Sequence, residues 1–218
     1  LAMLISGLLL QQVMTSGVIT YELGGWDAPW GIEYRIDQLN ALLLLIISSI
    51  STVVLLAADT SIQKEIPANR QTIFYILYLL SLAAMLGIVA TGDAFNVFVF
   101  LEISSLSAYA LIALGKERQA LWASYQYLIM GTIGATFILI GIGLMYQMTG
   151  TLNMEDLSRR LPEVAQTRTV FTAFAFVTVG ICLKLAMFPL HLWLPNAYAY
   201  APSIVTAFFA ATATKVAV

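Results

Sequence analysis

Three ionisable side chains interrupt stretches that are otherwise apolar: Glu102 in NVFVFLEISSLSAYALIAL, Lys184 in GICLKLAMFPLHLWLPNAYAYAPS and Lys215 in TAFFAATATKVAV. A carboxylate and two amines can hold and hand on protons, and a carboxylate beside an amine helps decide whether that amine keeps its proton. At about 4 Å and an effective dielectric near 20, such a pair attracts by about 4 kcal/mol, enough to switch a lysine near neutral pH. Placing the three in apolar helices is expensive. Each charge near a bilayer centre costs about 2.5–3.5 kcal/mol, so three cost about 8–10 kcal/mol, comparable with the stability of a whole domain. They are therefore expected to face a bundle interior, to pair, or to meet water, at a similar intermediate depth roughly 10–20 Å from one face.

Their neighbours extend this polar face. Ser105 and Tyr109 stand three and seven positions after Glu102, on the same side of a helix, and Thr212 stands three before Lys215. Beyond Lys184, Pro189 and Pro195 cannot donate to the carbonyls of Leu185 and His191, which predicts a broken helix. Freed carbonyls at membrane depth need protein partners or a hydrated cavity, and a broken helix is a common way to build an ion site in transporters. His191, seven after Lys184, is expected roughly on its face. Plainer readings stay open for each: a neutral hydrogen-bonded core carboxyl for Glu102, snorkelling lysines, a proline-kinked helix end, an interfacial His191. Asp93, at a helix start, reads as a cap.

The elements that must carry these residues follow from composition. Of 218 residues 60% are hydrophobic and 10% charged, against about 25% charged in soluble domains, and mean hydropathy is +0.87. The chain belongs in lipid. A net charge of -2 gives no electrostatic footprint for nucleic acid or anionic lipid. One cysteine, Cys182, and one histidine leave no disulfide framework and no expected metal or iron–sulfur site, and no dinucleotide or haem signature appears, so no cofactor is expected.

Apolar runs predict an all-α integral membrane bundle, one transmembrane domain over residues 1–218 with about seven spans. A partial first helix at 1–14 precedes a polar loop at 15–37. Spans follow at 38–58, 72–91, 94–114 and 120–146, then from about 169 and from about 203. The run at 1–14 is too short to cross a bilayer and lacks signal-peptide features, so the first and last helices are expected to be pieces of longer ones. Residues 59–71 read as a charged loop, 92–93 as a tight turn, and 149–168 as a short surface helix or an ordinary loop. Gly131 and Ala135, four apart, allow close helix packing. The runs lack the period of two that barrel strands show. The connections at 15–37, 92–93 and 149–168 share one face, side A, and the other three share side B. Their basic residues tie in number, but the shorter side B loops are denser in charge and lean cytoplasmic.

At its three charged motifs, and in the loop LGGWDAPWGIEYRIDQLNALLLL, the chain resembles the proton-translocating antiporter-like family. That family comprises the A-type and D-type components of multisubunit sodium/proton antiporters, the large membrane-arm subunits of complex I, and hydrogenase relatives. The resemblance implies a subunit of about fourteen helices in two inverted five-helix repeats, with this chain holding the second to eighth. Glu102 would be the fifth-helix acid, Lys184 the lysine of the broken seventh helix and Lys215 that of the eighth; the family's second half would be absent. Side B would face the cytoplasm. Complex I subunits of this kind often carry a proline shortly after the acid, where this chain has Ser104, Ser105 and Ser107, a pattern closer to D-type or hydrogenase-associated subunits. The resemblance thus implies a proton-translocating subunit, possessing a Glu-Lys-Lys relay and most like the D-type antiporter component, in a bacterial inner membrane. Alternatives are a component of a redox-driven pump, NADH-quinone oxidoreductase-like and not catalytic alone, and a non-translocating structural subunit. Implied partners are other membrane subunits, protons, Na+ in the antiporter reading and the bilayer, with no nucleic acid.

Overall fold

The computed structural model describes residues 1–216, and the side chains of all of these but Thr214 and Lys215. Helix α1 (Ala2–Ser16) ends where Gly17 turns out at φ +84°. The segment expected as a plain polar loop then forms a hairpin. Strands β1 (Ile19–Glu22) and β2 (Glu33–Ile36) pair antiparallel, with Ile19 opposite Ile36 and Glu22 opposite Glu33. Four-residue strands are too short to display a period, but their Ile, Thr and Tyr favour a pleated ladder.

Helix α2 (Gln38–Leu56) starts at Asp37, whose carboxylate accepts the Asn40 N–H at 2.8 Å. The expected charged loop after it holds α3 (Asp59–Glu65) and a 3₁₀ turn at Ala68–Arg70, because Ile62 and Ile66 can bury against the bundle while the charges stay outside. Helices α4 (Gln71–Ala90) and α5 (Ala94–Ile112) form the hairpin expected about Gly92, and Asp93 caps α5 by accepting the Asn96 N–H at 2.7 Å. Helix α6 (Arg118–Thr149) is 32 residues, about 48 Å at 1.5 Å per residue. The stretch after it is helical: Asn153 caps α7 (Met154–Val164), which buries Leu157. Then come α8 (Arg168–Lys184), α9 (Trp193–Tyr200) and α10 (Ser203–Val216).

Among the described residues, four helical stretches are long and apolar enough to cross a membrane: Gln38–Leu56, Ala68–Ala90, Ala94–Ile112 and Arg118–Thr149. Helices α1, α8 and α10 are shorter, and the expected sixth span is divided between α8 and α9. The core gathers Phe74, Tyr78 and Met85 of α4, Leu111 of α5, and Val205 and Phe208 of α10, with the Tyr78 and Phe208 rings 4.4 Å apart.

The three side A connections meet in one rim. Gly92 donates its N–H to the Glu33 carbonyl at 2.9 Å, and Met154 donates to the Gly92 carbonyl at 2.8 Å. Bridges join Tyr34 to Thr91 and Asp93 to Asn153. The Asn153 amide donates to the Glu33 carboxylate at 2.9 Å, and Arg35 pairs with Glu155.

Helices α6 and α8 approach closely through glycines. A Cβ at Gly134 would lie 3.1 Å from the Leu183 Cβ, and one at Gly180 would lie 2.6 Å from the Gly134 carbonyl. Gly180 is one turn before Lys184, so this contact sets where α8 delivers its lysine.

Candidate proton-path site

The Lys184 ammonium donates to the Ser105 hydroxyl at 2.7 Å and to Glu102 Oε1 at 3.3 Å. The lysine side chain is 5% exposed and the glutamate 26%. Helix α5 presents Glu102 and Ser105 one turn apart, and α8 ends on the lysine. Of the neighbouring serines, Ser104 and Ser107 bond back to carbonyls of their own helix, which leaves Ser105 as the hydroxyl turned to the ammonium. Tyr109, a further turn along, is buried, and its hydroxyl has no hydrogen-bond partner among the described residues. It occupies the space over Gly131: a Cβ there would lie 1.9 Å from the Tyr109 oxygen. Gly131 therefore makes room for a polar side chain as well as for a close helix.

The helix break differs in detail from the proline argument. Helix α8 stops before Pro189, in a Schellman closure. Met187 donates to the Cys182 carbonyl at 3.0 Å and Ala186 to the Leu183 carbonyl at 3.2 Å, with Ala186 at φ 53°. That conformation normally takes glycine and costs an alanine of the order of 1 kcal/mol. Pro189 lies within the non-helical stretch between α8 and α9, where its ring and missing N–H oppose continuation. Pro195 does not interrupt a helix. It is the third residue of α9, where an N–H would be unpartnered anyway, and the His191 carbonyl is not left free, since it accepts from the Leu194 N–H at 3.0 Å. Because the helix ends at Lys184, the seven-residue spacing does not put His191 on the lysine's face. His191 belongs to the break, its ring 5.5 Å from Phe188 and its Nδ1 enclosed without a partner among the described residues.

A cavity of about 420 Å³ lies against Lys184 and Ser105. It extends from Leu157 of α7, past Ser105, Lys184 and Trp193, to Phe209 and Val216 of α10. The Thr212 hydroxyl is buried and donates to the Phe208 carbonyl at 2.7 Å. The Lys215 side chain is outside the described residues, though Ala213 and Val216 on its helix line the cavity. Sequence reasoning did not single out Trp193, Tyr127 or the α6–α8 glycines. The signal for the glycines was present: Gly134, Gly141 and Gly143 follow Gly131 in the fifth span, and Gly180 precedes Lys184 by one turn.

Fold and site define a polytopic helical membrane protein with an ion pair enclosed where a helix breaks. The family model for NADH:quinone oxidoreductase/Mrp antiporter, transmembrane, matches residues 91–218, and the chain belongs to that family. It is 48% identical over 196 residues to the N component of the NADH-quinone oxidoreductase of Desulforudis audaxviator, covering 90% of this chain and 39% of the relative. It is 36% identical over 216 residues to the D component of the Na(+)/H(+) antiporter of Bacillus subtilis, covering 99% and 43%. Among solved structures it resembles a chain of the membrane-bound sulfane sulfur reductase, an archaeal respiratory membrane complex, with a TM-score of 0.92 and 36% identity over 99% of this chain and 44% of that one. The chain thus spans less than half the length of these relatives.

Proposed function

We propose that this chain carries the first proton-holding sites of an antiporter-like subunit, most like the D-type component of a multisubunit sodium/proton antiporter, working among other membrane subunits in a bacterial inner membrane. The observation that carries the reading is the Lys184 ammonium, enclosed and held by both Glu102 and Ser105. A buried ammonium is tolerable only with such partners, so whatever moves or neutralises Glu102 loosens the proton on Lys184. The cavity that runs from Lys184 to Ala213 and Val216 of α10 supports transfer toward Lys215, and Thr212 stands on the same helix. Ser105, Tyr109 and His191 supply hydroxyl and imidazole groups around the break.

The test uses a full-length homologous subunit in its complex. Lys215→Ala should lower proton transport at least tenfold while leaving assembly intact; normal transport by the assembled variant removes Lys215 from the path.

A second reading, a redox-driven proton pump, is favoured by the 48% identity to a component of an NADH-quinone oxidoreductase. The same relay would serve it, with electron transfer in partner chains. Proton movement that follows an electron donor identifies the pump, and movement that follows an imposed Na+ gradient identifies the antiporter.

A further inference from the structure

We propose that Trp193 is a positioning residue for Lys184, latching the broken end of α8 to α6; this deepens the relay reading above and rests on it. Trp193 is buried, and a buried indole N–H needs an acceptor. Its Nε1 donates at 3.1 Å to the carbonyl of Leu183, the residue immediately before the lysine. That carbonyl also takes the Ala186 N–H of the Schellman closure, so both of its lone pairs are used at the point where the helix stops.

The indole is itself anchored. Its ring lies on Tyr127 of α6 with centroids 4.0 Å apart and an interplanar angle of 1°. One turn further along α9, the Asn196 amide donates to Gln126 Oε1 at 2.9 Å, beside Tyr127 in sequence. Two adjacent residues of α6 thereby hold α9, and α9 holds the last turn of α8 across the break.

Helix α6 also carries the opposite partner of the lysine. Ser124 donates to the Tyr109 carbonyl at 2.7 Å, and the Tyr109 and Tyr127 rings meet edge to face at 4.6 Å. Donor and acceptors of the ion pair are thus referenced to one helix: Glu102 and Ser105 through α5 on α6, and Lys184 through Trp193 on α6. The latch keeps the ammonium at 2.7 Å from Ser105 and 3.3 Å from Glu102 after helical hydrogen bonding has ended. The titratable groups around the lysine are Glu102 and Tyr109 of α5, Tyr127 of α6 and Tyr198 of α9. A change in its position must therefore change the pH dependence of any step that uses its proton.

The experiment measures proton transport against pH in the full-length subunit, assembled in its complex in membrane vesicles. Trp193→Phe keeps an aromatic ring on Tyr127 and removes the N–H. The benzothiophene isostere of tryptophan at position 193 keeps the full shape and also removes it. Both are expected to lower transport by roughly tenfold or less, the scale of one neutral hydrogen bond, and to displace the pH midpoint by about half a unit or more. Should the phenylalanine variant fail to assemble, the isostere decides. A wild-type rate and midpoint for the isostere, with Lys184→Ala inactive, overturns the latch and leaves the relay standing. Normal transport by assembled Lys184→Ala overturns the relay itself, and the latch with it.

Discussion

Replacing Glu102 by glutamine changes one charge and almost no volume. The pair in question spans 3.3 Å, with the lysine enclosed and the carboxylate about a quarter exposed. At an effective dielectric near 20, the attraction at that distance is about 5 kcal/mol. Glutamine keeps a carbonyl acceptor, worth about 1 kcal/mol, and exposure of the acid trims the difference further, leaving about 3 kcal/mol. At tenfold per 1.4 kcal/mol, Glu102→Gln should cut transport about 100-fold. The assay is acidification of everted vesicles carrying the full-length subunit in its complex, read with a pH-sensitive dye, with assembly checked on native gels. Lys184→Ala should be as severe, and the double variant no worse than either single, because the two side chains act as one unit. An assembled Glu102→Gln complex that pumps at more than about a tenth of the wild-type rate refutes the charge argument and makes Glu102 a packing residue.

Gly131→Ala puts a Cβ into the Tyr109 hydroxyl and should cost about 1–3 kcal/mol of stability in detergent, with Tyr109→Phe restoring part of the loss. Arg160 holds the Asp156 carboxyl below the usual carboxylate range through a hydrogen bond at 3.0 Å and an ion pair at 2.9 Å. A lowered folded value means that the contribution is present above the unfolded value, about 3.9, and is lost as pH falls through the folded one. Acid melting of α7 should therefore begin below about pH 4 and move upward in Arg160→Ala, measured by thermal unfolding across that range. For orientation, single cysteines at positions 64 and 116, on a Cys182-free background, should resist an impermeant thiol reagent applied outside while one at position 35 reacts. External labelling at 116 would reverse the topology.

Much of this architecture could be read from the chain because apolar runs and expensive charges leave few options. Glu102, Ser105 and Lys184 converge because buried charge demands partners. The cap at Asp93 was legible for a similar reason, since a helix start needs an acceptor for its free N–H groups. What escaped were features that depend on contacts between distant segments. The strands at Ile19–Glu22 and Glu33–Ile36 are too short to carry a period, and α3 is a short helix whose burial depends on neighbours. The end of α8 was assigned to Pro189, whereas Ala186 turns the chain three residues earlier, in a conformation that sequence preference would have given to glycine. The partner of the Trp193 indole is a backbone carbonyl, which no residue pattern reveals.

The rim on side A and the α6 contacts hold opposite ends of the arm made by α7 and α8. Helix α7 is stitched to the rim at its N-terminal end through Asn153 and Glu155, whereas α8 is held near its far end, where Gly180 meets Gly134 and Trp193 bonds to the Leu183 carbonyl. Lys184 is the last residue of that 17-residue helix, about 24 Å from its start along the axis. A tilt of about 5° about the start of the helix would move that end by about 2 Å, enough to part the lysine from both partners. The contacts at Gly134, Gly180 and Trp193 therefore stand between such a tilt and the ion pair.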